Sequence, residues 1–443
     1  MPTKKKKYIL GELKNKGIIT IPLTLDFGPS QKIIEITQET NIKEVLGYDL
    51  QHPKMLLLRE GLKKADKILL YRVNTGKYAI GNTPKGKIIS QYPGERGNDI
   101  KILIYPVNKW GQVSKSDGDE WGQVFKIGVV TMLEGEVVEV QYVGCLDELR
   151  DNAYVRFEMR GEISEEEYYE VELCGGETFE ARIREWDRFF EVIGYYDWRV
   201  MALPVGGVKV KRRGVKLIKH LREVEGRSVY VVMGDFAEAN SEGVLSVANG
   251  VELSDGVKLT ANECTVFVAA SVASATLEEG IVLNAYEGAI GLVKKMSHAQ
   301  MMSYLDRGEI VFVKSGKKVV IAEDINTFKA FTPKKTNVYR ENRFVRIVDV
   351  IREDLHKLMK IYYSAYIKRG KSPQECKQYY KEVCVQYIKL LQNRNLLYDC
   401  VPENDIAVYL AEELDGADIS LEIKIKNMAE KVYVGISYNK MLG

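Results

Sequence analysis

The string with the clearest chemical meaning is residues 81–87, GNTPKGK, which matches the first seven positions of a phosphate-binding P-loop. The next position should be Ser or Thr to hold magnesium, but Ile88 stands there. The loop must also open a helix whose N-terminal amides face the phosphates, whereas this chain runs quickly into the turn at residues 92–94. We therefore expect a lysine-bearing surface loop and no nucleotide cofactor.

Histidines and cysteines could carry catalysis or hold a metal, but their spacing indicates neither. The four histidines form no H-E-x-x-H pair, and no G-x-S-x-G elbow is present. The six cysteines lack C-x-x-C spacing and are expected to be reduced core residues. No catalytic, cofactor-binding or metal-binding residue is predicted, and the protein is not expected to be an enzyme.

Composition narrows the class of protein further. The 443 residues are enough for several domains, and the 64 basic and 62 acidic side chains nearly cancel. No apolar run approaches the roughly 18 residues that a membrane helix needs. The basic start at residues 4–7 lacks the apolar stretch of a signal peptide, and it is either a nucleic-acid contact or a solubilising tail. We expect no membrane insertion and no direct nucleic-acid partner.

The hydrophobic pattern predicts an α/β chain that is interrupted by a β module. Residues 17–91 alternate strands with two short helices, the first ending at Gly47. From residue 92 to 177 the period changes to two, which predicts a β-sandwich. An α/β pattern returns over residues 178–335. After it, helical spacing begins near Asn342, a capping box at Ser372 and Glu375 opens a second helix, and three strands end the chain.

Charged residues are clustered although the total charge is small. Residues 162–172 and 402–421 are acidic, whereas residues 343–371 are mainly basic. Any one of these runs is most simply a solvated face. Together they give one molecule separate positive and negative surfaces, which suits a subunit that contacts copies of itself.

Several local strings, in their order along nearly the whole chain, resemble one family. They are IPL at residues 21–23, DFGP at 26–29, YPGERGND at 92–99, SEGV at 241–244, NAYEGA at 284–289 and NR at 342–343. This order resembles the contractile tail sheath proteins of myophages, R-type bacteriocins and related injection machines, especially those from phages of Gram-positive bacteria.

The resemblance implies a multidomain α/β fold. Its parts would be a subtilisin-like α/β core without protease activity, an inserted β-sandwich, an α+β C-terminal domain near the inner tube, and terminal arms that exchange strands. The corresponding segments are an N-terminal arm (1–16), the first part of the core (17–91), the sandwich (92–177), the rest of the core (178–335), the C-terminal domain (336–430) and a C-terminal arm (431–443).

The resemblance also implies assembly residues. The C-terminal donated strand is expected at Val432, Tyr433, Val434, Gly435 and Ile436. A short N-terminal strand is expected at Tyr8, Ile9 and Leu10, although related sheaths begin with a longer arm. The candidates for tube contact are Lys357, Lys360, Lys368 and Arg369.

The implied function is mechanical. Such subunits polymerise as six-fold rings around an inner tube and contract to drive the tube through a target cell envelope. The implied partners are other copies of the chain, the tube protein, and baseplate and tail-terminator proteins. The implied location is the tail of a virion or phage-like particle, assembled in the bacterial cytoplasm and released on lysis. The alternatives are an α/β hydrolase or nucleotide-binding enzyme with a β-sandwich, and a β-sandwich adhesion protein.

Overall fold

The computed structural model describes residues 10–107, 127–164, 166–333, 335–367, 372–398, 401–410, 416–425 and 432–439. The chain divides into two compact units. The larger unit consists of Met1–Thr20, Glu60–Asp66 and Tyr196–Gly443, and the smaller one of Ile21–Arg59 and Lys67–Tyr195. Each unit is built from separate stretches of sequence.

The larger unit is organised around a parallel sheet. In spatial order its strands are Glu309–Ile310, Val244–Val247, Tyr230–Gly234, Val200–Leu203 and the beginning of Ile18–Leu23. Every residue of the three middle strands is buried. Parallel strands are typically buried on both faces, which explains their continuous apolar sequences.

Two helices pack on this sheet, Val208–Glu223 and Ala261–Ser274. The second begins at the Thr260 and Glu263 capping box and is almost wholly buried. Its alanine-rich sequence allows a close approach to the strands. The smaller elements of this part are the helix His298–Asp306, the 3-10 turn Ala237–Ala239, the strands Val251–Leu253, Lys258–Leu259 and Ala289–Leu292, and the hairpin Phe312–Ser315 with Lys318–Ile321.

The C-terminal part of the larger unit contains two long helices and a sheet. The helices are Asn342–Ile367 and Pro373–Asn393, and the second carries the predicted Ser372 and Glu375 capping box. The remaining elements are the 3-10 turn Asn337–Arg340, the short helix Pro402–Asp405, and the strands Leu397–Tyr398, Ile406–Leu410, Gly416–Ile425 and Val432–Asn439. The predicted order of helix, helix and strands is confirmed.

The smaller unit begins with a compact α/β piece. Its antiparallel strands are Ile33–Ile36 and Lys67–Arg72. Its helical elements are Ile42–Leu46, the 3-10 turn Pro53–Met55 and the first part of Leu56–Leu62. Gly47 ends the first helix with φ +76°, a left-handed conformation that glycine adopts without steric cost. The predicted end of this helix is confirmed.

Two antiparallel sheets enclose a common core in the rest of the smaller unit. The four-stranded sheet has the order Tyr169–Glu172, Ile100–Pro106, Ile127–Leu133, Glu136–Val143, and the three-stranded sheet has the order Val155–Met159, Gly86–Ser90, Ile80–Thr83. Strands of both sheets contribute to one apolar cluster, which contains Ile88, Ile102, Val129, Val155 and Val171. The remaining elements are the strands Gly76–Lys77 and Glu177–Thr178, the 3-10 turns Glu95–Asp99 and Leu146–Glu148, and the helix Ile183–Ile193.

The β module starts earlier in the chain than residue 92. The strand Gly86–Ser90 lies in the segment 17–91, which the sequence assigns to the α/β part, yet it pairs with Val155–Met159. Ile88 is fully buried in the sandwich core. The pairing joins residues about seventy positions apart, so no local pattern could place this hairpin in the module. The other predicted domain boundaries stay predictions.

Candidate assembly surfaces

The C-terminal sheet is built on the strand Gly416–Ile425. The strand Val432–Asn439 runs antiparallel to it, with a register from Gly416 opposite Asn439 to Ile423 opposite Val432. The strands Ile406–Leu410 and Leu397–Tyr398 also pair with it. The five residues predicted to form a donated strand, 432–436, therefore lie in a strand that pairs within its own chain.

The helix Asn342–Ile367 presents an apolar stripe to the interior of its unit. The stripe repeats at helical spacing and consists of Val345, Val348, Ile351, Leu355 and Leu358, all at most 4% exposed. The next helix, Pro373–Asn393, packs against it, and the Tyr380 hydroxyl donates a 2.8 Å hydrogen bond to the Leu355 carbonyl. This contact fixes the relative position of the two helices.

Two buried ion pairs hold the same helix to the rest of its unit. Arg222 donates to both carboxylate oxygens of Asp349 at 2.9 and 3.0 Å, and the Tyr230 hydroxyl donates to the same carboxylate. Arg346, which is fully buried, lies 3.0 Å from Asp324. The two pairs have opposite polarity, because the helix supplies the acid in one and the base in the other.

The environment of Asp349 determines its ionisation. Burial favours the neutral acid, but the adjacent Arg222 guanidinium outweighs it, so the pKa of Asp349 lies below its ordinary value. Burial, reinforced by the Asp349 charge, raises the pKa of Tyr230. The carboxylate therefore stays ionised and the phenol stays protonated, which is the combination that allows both to hydrogen-bond.

The N-terminal segment is attached at Gly11, through a contact that we call the N-terminal clamp and define as Gly11, Asp354 and Arg394. The Gly11 amide donates a 2.5 Å hydrogen bond to the fully buried Asp354 carboxylate. The Arg394 guanidinium donates to the Gly11 carbonyl and pairs with Glu278 at 2.7 Å. Lys357 and the Tyr387 hydroxyl also contact Asp354, at 3.0 and 3.1 Å.

The predicted assembly residues occupy different surroundings. Lys357 is engaged by Asp354, whereas Lys360 is exposed one turn further along the helix. Leu10 immediately precedes the clamp and is half-buried. Tyr8, Ile9, Lys368 and Arg369 lie outside the described residues. Sequence reasoning missed the clamp, because Gly11 lies more than 340 positions from the other two members and nothing near it distinguishes it from other turn glycines.

The string that resembles a P-loop forms a hairpin. Ile80–Thr83 and Gly86–Ser90 are antiparallel strands, and Lys87 lies 2.9 Å from Glu158 of the neighbouring strand. No helix N-terminus follows the string, so its amides cannot converge on a phosphate. Among the described residues, no group of acidic, histidine and cysteine side chains could hold a metal, and no helix is long and apolar enough to cross a membrane.

Comparisons with known proteins agree with this architecture. Residues 181–327 match the family model for the phage tail sheath protein central domain, and residues 16–73 match that for the tail sheath protein Gp18 domain III N-terminal region. The phage-like element PBSX protein XkdK of Bacillus subtilis is 27% identical over 96% of this chain and 94% of its own length.

Solved structures of sheath proteins resemble this chain over nearly its whole length. The sheath tail protein of Desulfitobacterium hafniense is 27% identical and superposes with a TM-score of 0.86 over 99% of both chains. The helical sheath of the anti-feeding prophage in its contracted state shares the fold, with a TM-score of 0.52 and 9% identity over 99% of this chain and 96% of that one. The chain belongs to the contractile tail sheath protein family, and it is a structural subunit of such a sheath in a phage-type tail.

Proposed function

We propose that this subunit polymerises by exchanging its C-terminal strand with a neighbouring copy. The observation that carries the proposal is the antiparallel ladder between Val432–Asn439 and Gly416–Ile425. Because all copies are identical, the strand forms the same main-chain hydrogen bonds with a neighbour's Gly416–Ile425 as with its own. Exchange therefore costs no backbone pairing and joins rigid domains into a polymer.

The polymer surrounds an inner tube and shortens to drive that tube into a cell. Energy is stored in the difference between two packings of one subunit, and small differences at each interface add up along the sheath. The partners are further copies, the tube protein, and baseplate and terminator proteins. Assembly takes place in the bacterial cytoplasm, and release follows lysis. The parallel sheet of the larger unit supports a subtilisin-like core that serves as a scaffold without protease activity.

A cysteine-pair experiment tests strand exchange. Ser420 and Gly435 are directly opposite each other in the ladder, so Ser420→Cys and Gly435→Cys in one chain place two thiols in register. Mild oxidation of assembled polymer should give a ladder of covalent multimers on a denaturing gel. The single-cysteine variants control for native thiols. Polymer that yields only internally cross-linked monomers contradicts exchange.

Truncation after Glu430 tests whether the strand is needed for assembly. The shortened chain should stay folded as a monomer by circular dichroism and form no striated tubes in electron microscopy. Tubes as abundant as those of the full-length chain contradict the proposal. Full-length chain that forms no tubes, alone or with its tube protein, contradicts polymerisation itself.

A further inference from the structure

The helix Val208–Glu223 carries a basic stripe on its solvent face. We define the basic stripe as Lys209, Arg212, Arg213, Lys216, Lys219 and His220. At 100° per residue these positions fall within an arc of about 120°, opposite the buried Val210, Gly214, Ile218 and Leu221. The stripe is therefore continuous along the outer side of the helix, for about 17 Å at 1.5 Å per residue.

Some members of this stripe contact acidic side chains of their own chain, for example His220, which lies 3.4 Å from Glu225. Arg212 lies 3.3 Å from Glu238, but both side chains are more than half exposed. No ion-pair partner within 4 Å occurs among the described residues for Lys209, Lys216 or Lys219. A row of like charges repels itself, so its presence on one helix favours contact with an acidic surface.

The β module of the same chain carries an acidic counterpart. Residues 162–172 contain glutamates and no basic side chain. They include the strand Tyr169–Glu172, which lies at one end of the four-stranded sheet. The side chains of Glu170 and Glu172 are 49% and 76% exposed, and Glu166 is exposed in the preceding turn. We define the acidic edge as Glu166, Glu170 and Glu172.

Lysines of the same module neutralise part of this acidity. Lys85 lies 3.6 Å from Glu167. Lys101 contacts both Glu170 and Glu172, so it offsets part of their charge. The surplus of carboxylates in residues 162–172 remains negative.

We infer that the basic stripe of one subunit binds the acidic edge of a second copy in the assembled sheath. This inference rests on the proposed function and adds a second subunit contact to the strand exchange. Different patches on identical subunits form a heterologous contact, and such contacts build rings or open polymers and not two-fold dimers. Side-chain charge pairs give this contact orientation, whereas the strand ladder supplies main-chain bonds.

A charge-swap experiment tests the pairing. The first variant carries Lys209→Glu, Arg212→Glu and Lys216→Glu, and the second carries Glu166→Lys, Glu170→Lys and Glu172→Lys. In each variant alone, like charges face each other at the contact. The amount of polymer that pellets should therefore be about tenfold lower than for the wild-type chain. An equimolar mixture should recover polymer, because each variant then meets the opposite charge on the other.

The controls separate this inference from simpler effects. Lys294→Glu, Lys295→Glu and Lys317→Glu change exposed lysines of the same unit by the same net charge and should leave assembly unchanged. Circular dichroism establishes that each variant is folded. If the first variant polymerises normally but no longer pellets with tube protein, the basic stripe binds the tube and the inference is wrong. If neither variant assembles alone and their mixture also fails to assemble, the inference is wrong as well. Tubes formed by the wild-type chain in the same experiment would show that the proposed polymerisation still holds.

Discussion

The amide of Gly11 donates a hydrogen bond to the buried carboxylate of Asp354, 343 residues away in the sequence. Arg394 holds the carbonyl of the same glycine, so both polar groups of one peptide residue are fixed by a charged side chain. Gly11 adopts φ +77°, and a Cβ atom there would lie 2.9 Å from the Arg394 guanidinium. The clamp thus fixes the backbone at Gly11 to Asp354 and Arg394 in the C-terminal part of the same unit.

Replacing Arg394 should loosen the chain around Gly11. Arg394→Ala removes a charge-assisted hydrogen bond to Gly11, and such bonds contribute about 1.5–3 kcal/mol. We expect chymotrypsin to cut between residues 8 and 13 roughly tenfold faster in this variant, as measured by mass spectrometry. The control is Lys389→Ala, five residues before Arg394, which breaks an exposed pair with Glu403. Equal cleavage rates in the two variants contradict the clamp.

Removing the Asp349 charge should destabilise the larger unit. Asp349→Asn keeps the shape of the side chain but leaves the Arg222 guanidinium buried without a counter-charge. Breaking a buried pair in this way costs about 3–5 kcal/mol, measurable by urea unfolding in dilute solution. Glu403→Gln removes one partner of an exposed surface pair and should change the free energy of unfolding little. A similar small change for Asp349→Asn contradicts the importance of the buried pair.

The same carboxylate predicts a pH dependence. The pKa of Asp349 is lower in the folded chain than in the unfolded one, so the unfolded chain takes up its proton first as acid is added. The stabilisation is therefore complete above about pH 4 and is lost as the pH falls through the folded value. The free-energy difference between wild type and Asp349→Asn should be constant from pH 5 to 8 and shrink below about pH 4. A free-energy difference between the two proteins that increases as the pH falls contradicts this prediction.

Lys360 allows a clear test of the proposed contact with the tube. It is exposed, whereas Lys357 is engaged by Asp354 and its reversal would disturb the clamp as well. Lys360→Glu should slow assembly on preformed tube by roughly tenfold without changing unfolding, because it reverses one rim charge. Lys295→Glu, on an exposed loop lysine of the same unit, is the matched control. Unchanged tube-templated assembly would remove Lys360 from the tube contact.

The hairpin at residues 80–90 predicts that the chain does not respond to nucleotide. Lys87 forms an exposed pair with Glu158, so Lys87→Ala should change the free energy of unfolding by less than about 1 kcal/mol. Millimolar ATP with magnesium should leave the melting temperature of both proteins unchanged. A stabilisation by ATP that Lys87→Ala abolishes supports the nucleotide-binding alternative instead.

The sequence by itself determined the local elements of this protein. The short apolar run Ile18–Leu23, the C-cap at Gly47 and the capping box at Ser372 each depend on residues close in sequence, so local chemistry suffices to place them. The order of short family strings was also sufficient to identify a sheath protein.

Only the tertiary structure decided which distant residues meet. Nothing near Ile88 shows that its strand completes the β module, and nothing near Gly11 indicates Asp354 or Arg394. The pairing of Arg222 with Asp349 is equally invisible, because 127 residues separate them. Such contacts depend on how packed elements bring remote side chains together, which no local pattern of residues encodes.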